Sequence, residues 1–298
     1  MDYCFLGKSD LRISRIGFGT MSLELNNPIT HTILLRALDA GINFFDTADM
    51  YQQGLNETLL GQVFRGKRDR IILATKVGNK WRADGSGWDW KPSKNYILST
   101  VEESLRRLQT DYIDLYQLHG GTLQDPIDDI IQAFEQLKQE GKIRFYGISS
   151  IRPNVIREYV NRSSIVSVMM QYSLLDRRPE EEMLPFLAQN QVGVLTRGSI
   201  AKGLLLSKPP LSYLGYSAEQ VNEAAVGIRN ISGGGQTPFQ MAVRFVLKEP
   251  AVCSAVIGIR TPAQLEDAIG VGDLPVLSAL QLKTLGNILP ANVYTEHR

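Results

Sequence analysis

Four side chains able to hold or move a proton gather around the ends of three apolar runs in this chain. Asp46 follows Ile42-Asn-Phe-Phe45, Lys76 follows Ile71-Ile-Leu-Ala-Thr75, and His119 lies just beyond Tyr112-Ile-Asp-Leu-Tyr116. Tyr51 stands five residues past Asp46, in the loop that follows. Each has an ordinary explanation when taken alone. Asp46 in Asp-Thr-Ala-Asp could cap a turn, Tyr51 could be a packed surface aromatic, and Lys76 or His119 could be snorkelled or hydrogen-bonded at a strand end. Together they fit one chemistry. A phenol has a reference pKa of about 10, too high for easy proton donation at neutral pH. A nearby ammonium stabilises the phenolate and lowers that value, and a carboxylate holds the ammonium in place. An imidazole beside them can orient a carbonyl oxygen. The set suits proton delivery to that oxygen, and the accompanying hydride must come from a cofactor, because no protein side chain donates one.

Such a set needs neighbouring strand ends that open on one mouth. The chain begins with a hairpin signal: Tyr3-Cys-Phe-Leu6, a Gly7-Lys-Ser-Asp10 turn and Leu11-Arg-Ile13. Short β-branched or aromatic runs then alternate with longer amphipathic stretches. The runs are Ile16–Gly19, Ile42–Phe45, Ile71–Thr75, Tyr112–Tyr116, Ile143–Ile148, Val166–Met170, Val192–Leu195 and Ala255–Ile257. Helical spacing is clearest in Ile97–Leu108 and in Ile127–Leu137, which meets a stop at Gly141. Asn56–Leu60, Asn154–Tyr159, Pro238–Leu247 and Ala263–Ile269 supply others. Eight strand-like runs, each followed by a helix-like stretch, predict one (β/α)8 barrel domain over residues 1–298, with the hairpin closing its bottom. The rival architecture is a doubly wound open sheet. It calls for Gly-x-Gly-x-x-Gly after the first strand, and Gly17-Phe-Gly-Thr-Met-Ser22 lacks the third glycine. Val77–Lys91 and Gly203–Gln236 read as long irregular segments, which in a barrel tend to serve the active site. The first holds all three tryptophans, Trp81, Trp88 and Trp90, among Gly, Asp and Ser. That context reads as a lid or wall of a substrate pocket for apolar or aromatic carbonyl compounds.

Composition narrows the classes further. With 32 Lys+Arg against 31 Asp+Glu the net charge is +1, which argues against an electrostatic nucleic-acid binder. The 298 residues are 43% hydrophobic, enough for a sizeable core, and 21% charged, too few for disorder. Cys4 and Cys253, 249 positions apart, exclude a disulfide framework and a cysteine-rich metal site. Three histidines, His31, His119 and His297, make a multi-histidine metal centre an unpromising reading. There is no basic-then-apolar leader and no apolar run near the ~20 residues of a membrane span. The expectation is a soluble cytoplasmic enzyme with a small-molecule substrate, no metal, and neither a nucleic-acid nor a membrane partner. The sequence carries no signal for an oligomeric state.

Several motifs add a resemblance over essentially the whole length. They are Gly17-Phe-Gly-Thr20, Asn43-Phe-Phe-Asp-Thr-Ala-Asp-Met-Tyr51 with Asn56-Glu57, and Ala74-Thr-Lys76. Further on come Asp111-Tyr-Ile-Asp-Leu-Tyr-Gln-Leu-His119, Lys142-Ile-Arg-Phe-Tyr-Gly-Ile-Ser149, Gln171-Tyr172 and Gly203-Leu-Leu205. With these the chain resembles the aldo-keto reductase superfamily, and most closely its bacterial members of general or uncharacterised type. The resemblance implies a barrel that binds NADP(H) across its mouth and reduces aldehydes or ketones to alcohols. It implies Tyr51 as general acid, Lys76 and Asp46 as its supports, and His119 as the group that orients the substrate. Gly19, Thr20 and Asp46 would line the nicotinamide ribose, and Met21 would also bind the cofactor. Ser149 and Gln171 would hold the carboxamide, with Ser150 where the family usually has asparagine. Arg197 stands where an aromatic usually lies beneath the ring, and Gly198, Ser199, Ala201, Gly203, Leu204 and Leu205 continue along the cofactor. Gly258, Arg260, Gln264 and Asp267 resemble the segment that grips the adenosine phosphate, Arg260 pairing with a 2′-phosphate and Ala268 replacing an asparagine. Two other classes compete. One is a low-turnover accessory module of the same fold that senses redox state through the bound cofactor, which would not need all four catalytic residue types. The other is a metal-dependent barrel hydrolase or lyase, for which histidine and carboxylate clusters in ligand spacing are missing.

Overall fold

The computed structural model describes residues 1–233, 235–272 and 275–298. An antiparallel hairpin, β1 (Tyr3–Phe5) and β2 (Arg12–Ser14), opens the chain and sets Cys4 opposite Ile13. Next come β3 (Ile16–Gly19), α1 (Ile29–Asp39), β4 (Phe44–Asp46), α2 (Leu55–Val63) and β5 (Ile72–Val77). A second hairpin, β6 (Asn79–Trp81) with β7 (Trp88–Trp90), precedes α3 (Lys94–Leu108). The chain continues through β8 (Ile113–Leu118), α4 (Ile127–Gln139), β9 (Ile143–Ser149), α5 (Pro153–Arg162), β10 (Ser167–Gln171), α6 (Met183–Gln189) and β11 (Gly193–Arg197). It ends with α7 (Ala218–Ile231), α8 (Pro238–Leu247), β12 (Val252–Gly258), α9 (Pro262–Gly270) and α10 (Ala279–Gly286).

β3, β4, β5, β8, β9, β10, β11 and β12 form a closed parallel barrel in that order, with β12 pairing back to β3 through Ala255–Ile16 and Gly258–Gly19. This is the (β/α)8 barrel expected from the repeat count. Two apolar layers hold it. Helices pack on its outer face, as where Phe134 of α4 stacks on Tyr146 of β9 at 5.3 Å between ring centroids. Inside the bottom, Leu6, Leu11 and Ile13 of the first hairpin are fully buried against Phe44, Leu115 and Leu195. Each such side chain contributes about 1.5–3 kcal/mol of burial, so the hairpin plugs the barrel as a wedge of core.

Three readings need correction. Asp46 and Lys76 lie inside their strands rather than after them, and most barrel strands run one to two residues past the expected ends. A search for apolar runs stops where side chains turn polar, yet the parallel ladder continues: Lys76 is level with Gln117, and Gln171 with Arg197. Val77–Lys91 holds the β6–β7 hairpin rather than an irregular loop. Gly203–Gln236, of which residue 234 lies outside the described residues, holds the 14-residue helix α7. Its signals were present, since Ser217 and Gln220 form a capping box and Val221, Ala224, Ala225 and Ile228 make a buried stripe.

Helix α2 lies behind the loop that carries Tyr51, and its seat on α3 depends on Gly61. A β-carbon there would come 2.4 Å from the Arg107 carbonyl oxygen and 2.8 Å from that of Leu108. Gly61→Ala is expected to lower stability by about 1–3 kcal/mol through overpacking, although alanine favours helix. Denaturant unfolding of the variant checks this, and an unchanged or raised midpoint would show that the helix pair yields freely.

Candidate active site

Asp46, Lys76 and Gln117 come from the three adjacent strands β4, β5 and β8. The Lys76 ammonium, 1% exposed, donates to Asp46 Oδ2 at 2.6 Å and to the Thr47 carbonyl at 2.7 Å. Gln117 donates to the other carboxylate oxygen at 3.4 Å. Lys76 Nζ stands 5.2 Å from the centre of the Tyr51 ring. The His119 ring meets that ring edge-on, 5.9 Å between centroids. The four side chains singled out from strand ends are thus brought into one group.

Local strain presents Tyr51. The residues after it turn left-handed, with φ of 48° at Gln52, 55° at Gln53 and 86° at Gly54. Non-glycine residues there cost about 1–3 kcal/mol each and persist only where surroundings force them. Here Gln52 donates to the Leu23 carbonyl at 2.8 Å and accepts from Asn56 at 3.0 Å. Asn56, fully buried, also accepts from the hydroxyls of Thr20 and Thr47. Beside it Glu57 accepts from Thr75 at 2.6 Å and from Arg107 at 2.7 Å. This buried polar frame ties the loop to β5 and α3.

Burial sets the protonation states. It pushes the Tyr51 phenol above its ordinary value, and the opposing pull of Lys76 does not overcome it. The lowering expected from the ammonium alone is therefore outweighed. Burial also lifts Asp46, partly offset by Lys76 and Gln117. Lys76 is disfavoured by burial but held above its usual value by Asp46 and Tyr51. His119 falls to about 3, first through burial and then through the charges of Lys76 and Arg197. Its imidazole is neutral, and Nδ1 has no hydrogen-bond partner among the described residues.

A cavity of about 670 Å³ opens above this group, lined by Tyr51, Lys76 and His119 on one side and by Met21, Ser149, Ser150 and Arg197 on the other. Trp88 and Trp90 form part of its wall. Trp90 reaches it because Gly78 and Gly120 leave room for its ring, where β-carbons would come within 2.5 and 3.2 Å. Trp81 does not join them. It donates to the Met50 carbonyl at 2.9 Å and lines a separate cavity. The register sets Trp81 opposite Trp88 on the same face of the hairpin, and the bond to Met50 is what draws its ring aside.

The cofactor candidates divide. Gln171 accepts from Arg197 at 3.2 Å and donates to Tyr213 at 2.6 Å. Tyr213 was not singled out from sequence, being one aromatic in a segment read as irregular. A β-carbon on Gly198, at φ of 72°, would come 3.3 Å from the Gln171 side chain. Thr20 is fully buried with its hydroxyl committed to Asp46 and Asn56. Ser199 is paired with Thr196, and Ala201, Leu204 and Leu205 are buried in the core, so their side chains face away from the mouth. Gly19 and Gly258 pair where β3 meets β12, and Gly203 makes a left-handed turn. At the start of α9, Gln264 is engaged with the Arg260 amide at 2.9 Å, the exposed Arg260 has no ion-pair partner among the described residues, and Asp267 lies half-buried further along the helix. Among the described residues no group of three or more His, Cys, Asp or Glu is placed to hold a metal, and no helix is long and apolar enough to cross a membrane.

Asp49 faces the cavity of about 580 Å³ that Trp81 lines, along with Tyr96, Glu103 and Arg107. One of its oxygens has no hydrogen-bond partner among the described residues. Burial, then the charge of Glu57, raises its carboxyl to about 8, against weaker lowering by the Met50 amide, Arg107 and Lys76. A carboxyl with a raised folded-state pKa gives its full stability below the unfolded value near 4 and loses it as pH rises toward 8. Between pH 5 and 8 the wild type should lose about 1–4 kcal/mol relative to Asp49→Asn. Denaturant unfolding of both proteins across that range tests this, and parallel curves would refute it.

Comparison with known proteins bears on the whole of this architecture. The sequence model of the Aldo/keto reductase family matches residues 15–289. The Bacillus subtilis uncharacterized oxidoreductase YqkF is 47% identical over 302 aligned positions, covering 98% of each chain. An NADH-specific methylglyoxal reductase of Escherichia coli is 29% identical, covering 89% of this chain and 91% of its own. The solved holo form of aldo-keto reductase AKR11C1 from Bacillus halodurans matches with a TM-score of 0.94 and 46% identity, over 100% of this chain and 99% of that one. The match takes in the barrel strands and the loops that carry Asp46, Tyr51, Lys76 and His119, and this chain belongs to the aldo/keto reductase family of oxidoreductases.

Proposed function

We propose that the chain is an NADPH-dependent carbonyl reductase that turns aldehydes or ketones into alcohols, with Tyr51 as general acid. The observation that carries this reading is the pairing of a neutral His119 with a protonated Tyr51 beside the clamped Lys76. An imidazole with a pKa near 3 has no proton to give at neutral pH, so the phenol is the donor and the imidazole a hydrogen-bonding guide. Lys76 stabilises the phenolate that donation leaves behind, and Asp46, Thr47 and Gln117 keep the ammonium from turning away. Trp88 and Trp90 supply an apolar part of the cavity wall.

The mouth fits a nicotinamide cofactor, which would supply the hydride when bound. Ser149, Ser150 and Gln171 offer the polar contacts for a carboxamide, and the absence of a side chain at Gly198 keeps the space over Gln171 open. Arg197 would present a flat guanidinium where the family has an aromatic. Its charge opposes a cationic oxidised ring more than a neutral reduced one, which biases the site toward reduction. Arg260, at the amino end of α9, is the candidate for a 2′-phosphate. The NADH-specific relative makes that assignment the one to test.

Tyr51→Phe should cut kcat by about 10²–10⁴-fold while NADPH affinity stays near wild type. The wild-type rate should show no inflection at the ordinary imidazole value near 6.5. Stopped-flow reduction of a simple aldehyde across pH reads both, and a Tyr51→Phe rate within a few-fold of wild type would remove Tyr51 from the role.

Arg260→Ala should weaken NADPH binding by about 1.5–3 kcal/mol, the worth of a hydrogen bond to a charged group, and leave NADH binding nearly unchanged. Fluorescence titration of both cofactors decides this. Equal losses would make the residue structural.

A further inference from the structure

The chain's two cysteines are 249 positions apart in sequence and meet at the bottom of the barrel. Cys4 lies in the middle of β1, and Cys253 is the second residue of β12. Their thiols reach the same acceptor, the Phe5 carbonyl, at 3.2 and 3.4 Å. The two thiols are close enough for each to shift the acidity of the other, and the Arg15 charge also acts on Cys4. Cys4 is half-buried at the rim, whereas Cys253 is buried among Leu6, Leu11 and Ile13. Nothing in carbonyl reduction uses this pair, which lies at the opposite end of the strands from Tyr51.

We propose that Cys4 and Cys253 form a redox modification site in which a hydroperoxide converts the thiol pair to a disulfide that staples the first hairpin to β12. The two cysteines differ in the way such chemistry needs. The neighbouring Cys253 thiol, with help from Arg15 and against the effect of burial, lowers Cys4 to about 6, whereas Cys4 and burial push Cys253 up. Cys4 is therefore the thiolate that meets oxidant, and Cys253 the shielded thiol that resolves it. In the first step the Cys4 sulfur attacks a peroxide oxygen. An S–O bond forms, the O–O bond breaks, and the leaving oxygen takes a proton, so the peroxide is reduced to water or an alcohol. In the second step the Cys253 sulfur attacks the sulfenic sulfur. The S–S bond forms, the S–O bond breaks, and the hydroxide departs as water with the Cys253 proton. Two thiols are oxidised and one hydroperoxide reduced.

The consequence is mechanical. In the reduced protein the plug is held by apolar contacts, by the ladder within its own hairpin and by polar ties to the barrel, as where Asn43 bonds Ser14 and Arg12. A covalent link to β12 fixes the first residues of the chain to a strand near the other end of the sequence.

The test exposes reduced, purified protein to hydrogen peroxide. The expected product is a Cys4–Cys253 linked peptide in non-reducing mass spectrometry, lighter by two hydrogens, in a chain that stays monomeric on a non-reducing gel. The melting temperature should rise by about 5–10 °C and return on treatment with dithiothreitol. In Cys253→Ser, which keeps a hydroxyl donor beside Cys4 but no resolving sulfur, Cys4 should be trapped as sulfenic acid by dimedone. In Cys4→Ser, Cys253 should remain an unmodified thiol. Sulfinic acid at Cys4 with Cys253 free, a disulfide between chains, or an unchanged melting temperature in the linked form would each overturn the proposal.

Discussion

The ion pair of Lys76 and Asp46 is the constraint to which the rest of the mouth answers. Both groups are removed from water, and the desolvation of two charges is repaid only when geometry is tight and further hydrogen bonds are met. The pair meets that condition through Thr47 and Gln117. All of this requires three neighbouring strands, β4, β5 and β8, to be in fixed register, since a slip of one residue would turn Lys76 or Gln117 to the other face. Removing one member of such a pair costs about 3–5 kcal/mol, because the other is left charged and buried. The proposed proton donor is thus supported by an element the fold cannot lose without also losing stability.

Behind the pair, Asn56 and Glu57 spread the same logic outward. Each is buried and polar, and each has its acceptors filled by hydroxyls or a guanidinium from a different element. Such networks rigidify when complete. They hold a left-handed turn that Gln52 and Gln53 would not adopt unaided, and that turn sets where the Tyr51 ring can lie. The nearby exception is Asp49, whose free oxygen faces the neighbouring cavity. The frame therefore carries a pH-sensitive weakness next to its most rigid part.

The eight-strand order and the hairpin plug were legible because they rest on local periodicity and on turn residues such as Gly7. Asp46, Lys76, Tyr51 and His119 were legible because strand ends in a barrel converge. What failed had other causes. Strand ends were cut short where polar residues continue a ladder, as at Lys76 and Gln171. α7 was missed although a capping box announces it, because it follows a stretch rich in Gly, Pro and Ser. Trp81 was grouped with Trp88 and Trp90 by composition, and only its bond to the distant Met50 carbonyl separates them. Tyr213 and the Cys4–Cys253 pair depend on contacts between distant segments, which no local pattern encodes.

The circular order of the strands divides the mouth by chemistry. β4, β5 and β8 carry the carboxylate, ammonium and amide, with the phenol and imidazole in the loops just after β4 and β8. β9, β10, β11, β12 and β3 carry the short or flat groups suited to a long polar ligand: Ser149, Gln171, Arg197, Gly258 and Gly19. Arg197 touches both arcs. It bonds Gln171 on its own side, and its charge helps to keep His119 neutral across the mouth. An aromatic at that position would supply a flat face but no charge. Fixed strand register thus lets one guanidinium bond its own arc and, after burial and Lys76, act electrostatically on the imidazole of the other.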